Sequence, residues 1–384
     1  MNRNSCDVLI VGGGPAGLAA AISLKMRGAD VLVTDALKPP IDKACGEGLM
    51  PDARRDLAAL GVECEPRDGM SFQGIRFENW TDTDRISVSA CFRTGDGFGM
   101  RRPVLHERLV ERALALGVRL RWSTYVALGN EIRLNHEPCT YGYLVGADGQ
   151  SSRVRKWAGL DRGRQFTKRF GFRKHYRMGP LSNCVEVHWS ALGEVYITPV
   201  AWDETCVAVV TRHSSMRMQQ VIDSIPYLRE RLERHKPLAR ERGAVTTTRK
   251  LRRVVRGNVA LIGDASGSVD AITGEGLALG FRQANLLSQS LDENNLELYA
   301  AGHPQILRTP QRIARALLLM DAYPTLRNYV MRVFAGSPAL FQGMLNVHLG
   351  EEALAHFLIH NGMDIAAQLA FPRICASDSQ RVST

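Results

Sequence analysis

The first forty residues alternate between apolar runs and glycine-containing turns in a pattern that predicts one strand–helix–strand unit. The run 7–11 is rich in β-branched residues, which is typical of a strand buried on both faces of a parallel sheet. Small and apolar residues over 18–27 predict a helix that Gly28 ends, and 30–34 predicts the next strand. This order indicates a parallel sheet covered by helices.

The rest of the chain divides into stretches with strand-like and helix-like periods. Apolar and polar residues alternate over 73–93, which predicts antiparallel strands of a second, more exposed sheet. A helical period runs from Pro103 until Gly117 ends it. The remaining predicted strands are 118–122, 143–146, 184–188, 194–199, 206–211 and 259–262, and the predicted helix after them is 276–287.

The last part of the sequence has a helical pattern from Leu298 to about Leu369. Prolines predict interruptions at Pro304, Pro310, Pro324 and Pro338. The apolar segments 313–320 and 329–334 have arginines beside them. Packing against the first domain is the default interpretation. Docking at a membrane surface and a lid over an apolar substrate are the alternatives.

The predicted fold class is therefore α/β, with a parallel-sheet first domain into which a second, antiparallel β-sheet domain is inserted as the substrate domain. We assign residues 1–70, 101–162 and 250–298 to the first domain, and 71–100 and 163–249 to the second. Residues 299–384 form the predicted C-terminal helical region. A chain of 384 residues has ample length for two joined domains with a large core.

Composition narrows the class of protein. Apolar residues make up 45% and charged residues 23%, which is ordinary for a globular fold. The net charge of +10 suits pyrophosphate cofactors, acidic carrier proteins or anionic membrane surfaces, or simply a solvated basic surface. The basic residues are dispersed and do not alternate with aromatics, so we predict no nucleic-acid partner.

The cysteines predict the compartment. The eight cysteines are scattered, without CxxC pairs or metal-ligand spacing, so we expect reduced thiols and no metal site. No apolar run is long enough for a membrane span, and the N-terminus leaves no room for a signal peptide. We expect a cytoplasmic protein, with peripheral membrane contact as the alternative. The sequence does not set the oligomeric state.

The glycine-rich segment 12–17 carries the first candidate chemistry. Gly12 permits a tight turn, Gly14 lets a pyrophosphate approach the backbone, and Gly17 allows close helix-to-strand packing. The helix that follows presents free N–H groups and a partial positive charge. Asp35 ends the second strand, where a carboxylate can accept hydrogen bonds from a ribose.

Two later segments complete a pattern that makes sense around one FAD molecule. They are 147–149, which includes Asp148, and 263–265 followed by 273–276. Together the three segments resemble the flavoprotein superfamily of the p-hydroxybenzoate hydroxylase-type aromatic hydroxylases, the geranylgeranyl reductases and the flavin-dependent halogenases. The resemblance covers residues 5 to about 290 and implies a Rossmann-like, glutathione-reductase-like FAD-binding domain.

The resemblance also implies roles for individual residues. Asp148, with Ser152 and Arg155 after it, would help to hold FAD; the alternative is a plain Asp-Gly turn with Arg155 on a helix surface. Asp264 would bind the ribityl chain, and the backbone of 274–277 would face the flavin ring. The full predicted cofactor-binding set is Gly12, Gly14, Pro15, Ala16, Gly17, Asp35, Ala36, Cys45, Gly46, Arg102, Asp148, Gly263, Asp264, Gly274, Gly276 and Leu277.

Departures from the superfamily pattern favour the reductase branch. Ser266 and Glu275 stand where the hydroxylases prefer His and Gln, and the segment 43–48 resembles a Lys-x-Cys-Gly segment of the geranylgeranyl reductases. Tyr196, however, stands where those reductases have Trp. We predict Cys45 and Tyr196 as the catalytic-site residues, with core packing as the alternative for both.

The predicted function is that of an FAD-dependent oxidoreductase, with NAD(P)H as transient electron donor because only one dinucleotide motif is present. The reduced flavin would reduce a double bond of a hydrophobic, prenyl- or polyketide-like small molecule. The main alternative is a monooxygenase that hydroxylates an aromatic or polyketide substrate. The second is a non-catalytic flavoprotein interaction subunit.

Overall fold

The computed structural model describes residues 4–81, 84–360 and 362. Its strands are β1 Ser5–Val11, β2 Val31–Thr34, β3 Gly48–Leu49, β4 Gly69–Phe72, β5 Gly74–Trp80, β6 Arg85–Cys91, β7 Gly97–Met100, β8 Arg119–Arg121, β9 Val126–Ala127, β10 Arg133–Leu134, β11 Glu137–Pro138, β12 Thr140–Gly146, β13 Gly163–Tyr176, β14 Cys184–Trp189, β15 Glu194–Ala201, β16 Glu204–Thr211, β17 Arg242–Leu251, β18 Val255–Arg256 and β19 Val259–Leu261.

The helices pack against the sheets and against one another. They are α1 Pro15–Met26, α2 Pro51–Ala59, α3 Arg102–Ala115, α4 Arg153–Trp157, α5 Met218–Asp223, α6 Pro226–Glu233, α7 Gly276–Asp292, α8 Leu296–Ala322, α9 Pro324–Gly336 and α10 Pro338–His348. Within the described ranges, no helix has both the length and the hydropathy that a membrane crossing requires.

The nucleotide-binding half is a six-stranded sheet in the order β18-β19-β12-β1-β2-β8. All neighbouring pairs are parallel except β18 with β19. The strand–helix–strand prediction for the N-terminus is confirmed, because β1 pairs with β2 in register from Val8 opposite Val31, with α1 between them. Val8, Leu9 and Ile10 of β1 and all of β2 are buried, as their continuous apolar sequence predicts.

The second large sheet has seven strands in the order β17-β13-β16-β15-β14-β5-β6. It is antiparallel apart from one junction, where β14 runs parallel to β5 from Cys184 opposite Gly74. The strands predicted at 184–188, 194–199 and 206–211 are β14, β15 and β16. Strand β17 was not predicted individually, because its threonines and basic residues show no apolar alternation.

Two of the four helix interruptions that prolines predict in the C-terminal region are confirmed. Pro324 and Pro338 begin α9 and α10, as predicted. The predicted interruptions at Pro304 and Pro310 are wrong, because α8 continues through both. Helix α8 packs against α7, and this packing offsets the hydrogen bonds that the prolines cannot donate. The predicted continuation of helix to Leu369 falls mainly outside the described residues.

A buried ion cluster joins the second sheet to the late helices. Arg169 on β13 contacts Glu194 on β15, Asp270 Oδ1 at 3.0 Å and Asp321 Oδ2 of α8 at 3.6 Å. All four residues are less than a tenth exposed. Burial raises the pKa of Glu194 to about 8 although Arg169 opposes the shift. A neutral Glu194 leaves fewer negative charges for the cluster to balance.

We expect Arg169→Met to lower the free energy of unfolding by about 3–5 kcal/mol, because the substitution leaves buried carboxyl groups without their cation. Urea unfolding of the variant and the wild type measures the difference. Arg164→Met is the matched control, since Arg164 is exposed on the same strand, and it should change stability by less than about 0.5 kcal/mol. Equal effects of the two substitutions would contradict a stabilising role for the cluster.

Candidate functional site

A cavity of about 900 Å³ lies between the two large sheets. Its lower wall is the edge of the parallel sheet where β19, β12, β1 and β2 end side by side. The three predicted segments and Asp35 begin at the ends of these strands: Gly12 comes directly after β1, Asp35 after β2 and Ala147 after β12, and Gly263 follows β19 with one residue between them. Carboxyl ends of parallel strands are the usual place for ligand sites in such sheets.

The predicted cofactor residues converge on this cavity. Every member of the predicted set lines it except Gly17, and so do the predicted catalytic residues Cys45 and Tyr196. Gly17 lies underneath, where a Cβ would come within 1.9 Å of the Gly12 carbonyl oxygen. It therefore provides the close packing of α1 that the sequence predicted.

The glycine-rich turn has the geometry of a phosphate cradle. Gly12 adopts a φ of +113°, and a Cβ there would lie 2.4 Å from the Ala147 carbonyl oxygen. At Gly14, Gly149 and Gly276, by contrast, no described protein atom lies within 4 Å of the Cβ position, although all three line the cavity. The backbone is thus exposed to a ligand at the N-termini of α1 and α7.

Asp35 fixes the shape of the first turn as well as facing the cavity. Its Oδ2 accepts a hydrogen bond from the Gly13 N–H, and its Oδ1 accepts one from the Leu37 N–H, both at 2.8 Å. Each carboxylate oxygen retains capacity for another donor. Ala36 lines the cavity beside it.

The segment 147–149 is not the plain Asp-Gly turn of the alternative interpretation. The carboxylate of Asp148 accepts hydrogen bonds from the N–H groups of Arg153 at 2.6 Å and Val154 at 3.1 Å, so it caps α4. Arg155 is buried rather than on a helix surface, and it donates to the carbonyls of Ala265 at 3.1 Å and Gln150 at 2.7 Å. Arg155 therefore joins the second segment to the third.

The third segment carries the carboxylate of Asp264, which pairs with Lys43 Nζ at 2.8 Å. Gly274 has a φ of +70° and ends a short 3-10 turn, after which α7 begins. Burial raises the pKa of Glu275 at the start of α7, and His348 Nδ1 of α10 lies 3.7 Å from its carboxylate. A raised pKa weakens the tendency of this carboxyl to carry a negative charge that would compensate the positive end of the helix dipole.

The loop containing Cys45 is held by a buried network that the sequence did not reveal. Glu47 has a φ of +59°, and its carboxylate accepts hydrogen bonds from Arg173 at 2.5 Å, from the Arg102 N–H at 2.9 Å and from His175 Nε2 at 2.6 Å. Burial alone would raise the pKa of Glu47, but His175 and Arg173 lower it. The carboxylate thus stays charged and ties this loop to β13.

Glu47, His175 and Cys206 also bring three potential metal-ligand atoms within 4.8 Å of one another. The Arg173 guanidinium already occupies one side of Glu47, and burial raises the pKa of the Cys206 thiol well above its usual value. Both features oppose a cation. The prediction of no metal site stays as a prediction.

Cys45 and Tyr196 face the cavity as protonated groups. Burial raises the pKa of the Cys45 thiol, and burial together with Glu194 raises that of Tyr196 well above 10. The Tyr196 hydroxyl donates to the Ile272 carbonyl at 3.3 Å. The wall around them is apolar and consists mainly of Ile75, Phe77, Val185, Val187, Phe334, Phe341, Met344 and Leu345.

The parallel sheet, the open glycine turns and the acidic residues at the strand ends define a dinucleotide-binding protein whose site fits FAD. The chain belongs to the FAD binding domain family, whose model matches residues 5–301. It is therefore an FAD-dependent enzyme of the oxidoreductase and monooxygenase group. The resemblance stated from the motifs is confirmed.

The proteins that this chain resembles include reductases and a probable monooxygenase. The chain is 26% identical over 365 residues to menaquinone reductase of Mycobacterium tuberculosis, covering 86% of this chain and 88% of that one. It is 25% identical over 322 residues to digeranylgeranylglycerophospholipid reductase 1 of Methanothermobacter thermautotrophicus, covering 74% and 76%. In fold it resembles the crystal structure of PqsL, a probable FAD-dependent monooxygenase from Pseudomonas aeruginosa, with a TM-score of 0.69 and 22% identity over 83% of this chain and 96% of that one.

We expect Gly14→Ala to fold normally but to purify with little FAD. The added Cβ meets no described atom beyond the adjoining residues, and Gly14 lines the cavity at the N-terminus of α1, where we expect the pyrophosphate to bind. Affinity for FAD should fall by about tenfold or more, which is roughly 1.4 kcal/mol. Flavin absorbance per mole of protein and titration of the FAD-free protein measure this.

Gly129→Ala is the control for Gly14→Ala, because a Cβ there makes ordinary contacts and Gly129 does not line the cavity. A second variant, Asp264→Ala, should also lose FAD. If Gly14→Ala and Asp264→Ala both retain full flavin, the assignment of the site is wrong.

Proposed function

We propose that the protein uses FAD to reduce a double bond of a hydrophobic, prenyl- or polyketide-like small molecule, with NAD(P)H as the transient electron donor. The observation that carries this proposal is the apolar wall of the cavity, which continues directly from the predicted flavin site. Such a wall suits an apolar substrate and offers few hydrogen-bond partners to a polar one. The reductases among the relatives support the same direction.

The chain's own residues would hold FAD along the edge of the parallel sheet. The open backbone at Gly14 and the N-terminus of α1 suit its pyrophosphate, and the carboxylate of Asp35 suits its adenosine ribose. Asp264 suits the ribityl chain, where it would exchange its contact with Lys43 for ribityl hydroxyls. When bound, FAD supplies the hydride that a reduction needs.

The residues around the substrate would contribute position and protons. Glu47 and Arg173 hold the loop of Cys45 against the sheet, so the thiol keeps a fixed place in the wall. Tyr196 is fixed through Ile272. The raised pKa values of Cys45 and Tyr196 keep both groups protonated at neutral pH, so neither acts as a base there.

Monooxygenation is the second candidate function. The same flavin site can serve it, and the probable FAD-dependent monooxygenase PqsL has a similar fold. The two reactions differ in what they require: a reductase converts its substrate without oxygen, whereas a monooxygenase transfers an oxygen atom to it.

Anaerobic single turnover separates the two candidates. We expect FAD-loaded protein, photoreduced without oxygen with EDTA as the electron donor, to be reoxidised by menaquinone or by geranylgeranyl diphosphate, with two hydrogens added across a double bond of the product that remain there after exposure to air. Flavin absorbance and mass spectrometry of the product measure the two sides of the reaction. A product that forms only after oxygen is admitted, and that contains an added oxygen atom, would instead establish the monooxygenase.

Ala208→Phe provides a cavity-filling variant for the same experiment. Ala208 lies opposite Tyr196 and lines the cavity. The phenylalanine ring should occupy part of the space for the substrate, so turnover should fall while flavin absorbance stays unchanged.

We also propose that the mouth of the cavity contacts an anionic membrane. Leu319 is 51% exposed, Tyr323 60% and Leu326 40%, and Leu319 and Leu326 line the cavity as well. Arg312 and Arg315 are exposed on the same helix as Leu319. Apolar residues with basic neighbours suit a membrane surface with negative lipids. An apolar substrate could then enter without crossing water.

Vesicle flotation tests the membrane contact. We expect the protein to bind vesicles that contain phosphatidylglycerol and to bind phosphatidylcholine vesicles less. Leu319→Glu should weaken binding by roughly tenfold, because one leucine side chain would no longer be buried. Leu298→Glu is the control: Leu298 is 41% exposed on the same helix, about 31 Å away along its axis. Equal binding of both variants and the wild type would contradict the proposal.

A further inference from the structure

A second cavity of about 390 Å³ lies on the other side of α8, between that helix and the strands β13 and β17. Phe166, Leu318 and Leu319 form its apolar part. Phe166 is 55% exposed although it is a large aromatic residue. An open apolar cavity of this kind exposes surface that a ligand with a hydrocarbon chain would cover.

Two cations border this cavity. Lys250 comes from β17 and Arg315 from α8, and both line it and are exposed. Among the residues that the structure describes, neither side chain forms an ion pair with a carboxylate. Their charges are therefore available to an anion at the rim.

The acidic group beneath the cavity does not cancel these charges. Thr167 lines the cavity and donates a hydrogen bond to Asp270 Oδ2 at 3.0 Å. Asp270 is itself buried and paired with Arg169 at 3.0 Å. The cavity thus combines an apolar interior with a positive rim.

The second cavity is adjacent to the first and shares two lining residues with it. Val269 and Leu319 line both. A hydrocarbon chain in the second cavity would therefore lie beside the mouth of the larger one, while its head group stays at the rim.

We propose that the second cavity binds an amphipathic anion, with a phosphate or similar head group between Lys250 and Arg315 and an apolar chain against Phe166, Leu318 and Leu319. The head group comes from one of two sources: a lipid of the membrane, or a phosphate that a small molecule carries itself. Binding at this site does not require the redox reaction, so it can succeed or fail independently of the proposed function.

Isothermal titration of the FAD-loaded full chain with dodecyl phosphate, below its micelle concentration, tests the site. We expect dodecyl phosphate to bind, and dodecyl maltoside and inorganic phosphate to bind at least roughly tenfold more weakly, because each lacks one half of the recognised ligand. Lys250→Gln and Arg315→Gln should each weaken the binding of dodecyl phosphate by roughly tenfold.

Arg308→Gln is the matched control, because Arg308 is an exposed arginine of the same helix that lines neither cavity. It should leave the affinity for dodecyl phosphate unchanged. Equal affinity for dodecyl maltoside, or equal effects of the three substitutions, would overturn the proposal. All three residues are exposed, so folding should be preserved, and circular dichroism checks this.

Two further measurements, vesicle binding and competition by geranylgeranyl diphosphate, distinguish the sources of the head group. If Lys250→Gln also weakens binding to phosphatidylglycerol vesicles, the site takes a membrane lipid. If vesicle binding is unchanged but geranylgeranyl diphosphate competes with dodecyl phosphate, the site takes a phosphate-bearing small molecule. If Lys250→Gln leaves vesicle binding unchanged and geranylgeranyl diphosphate does not compete with dodecyl phosphate, both assignments are overturned, and the proposed site with them.

Discussion

The close approach of Gly12 to the carbonyl of Ala147 is the constraint on which the rest of the site depends. The two residues follow adjacent parallel strands, and a Cβ on Gly12 would lie 2.4 Å from that carbonyl oxygen. Because they can approach, segments more than a hundred residues apart in sequence form one edge. Asp35 and Gly263 join the same edge from the flanking strands β2 and β19. The cavity exists because the strand ends meet there.

Buried charges then fix the upper part of the cavity relative to this edge. Arg173 and His175 of β13 hold Glu47, and Glu47 holds the loop that carries Cys45. Arg169 of the same strand holds Asp270, which lies just before the turn that contacts Tyr196. Buried ion pairs are weak evidence for stability when compared with apolar packing, but breaking one leaves a charge uncompensated. Here the ion pairs fix positions, because β13 holds two separate parts of the cavity wall in place.

Local sequence patterns were sufficient to predict several secondary-structure elements and the glycine-rich turn. The strand–helix–strand unit and strands β14 to β16 follow from apolar periodicity, and the open glycines follow from their spacing. Contacts between distant segments were not predictable. The parallel pairing of β5 with β14 depends on tertiary packing, and so does the continuation of α8 through Pro304 and Pro310. A positive φ at Glu47 has no sequence signal, because the residues that hold its side chain, Arg102, Arg173 and His175, lie far from it in sequence.

The protonation of the cavity wall bears on the choice between reduction and oxygen transfer. Adding a hydride to a double bond also consumes a proton, so a reductase benefits from groups that hold protons at neutral pH. Burial raises the pKa values of Cys45 and Tyr196, so both groups hold protons at neutral pH, whereas Glu47 lines the same cavity with a lowered pKa and a charged carboxylate. A hydroxylase that activates a phenol by removing its proton needs a base, but the carboxylate of Glu47 already accepts hydrogen bonds from Arg102, Arg173 and His175. The protonated Cys45 and Tyr196 suit the proposed reduction, and the flavin half of the site would serve either reaction.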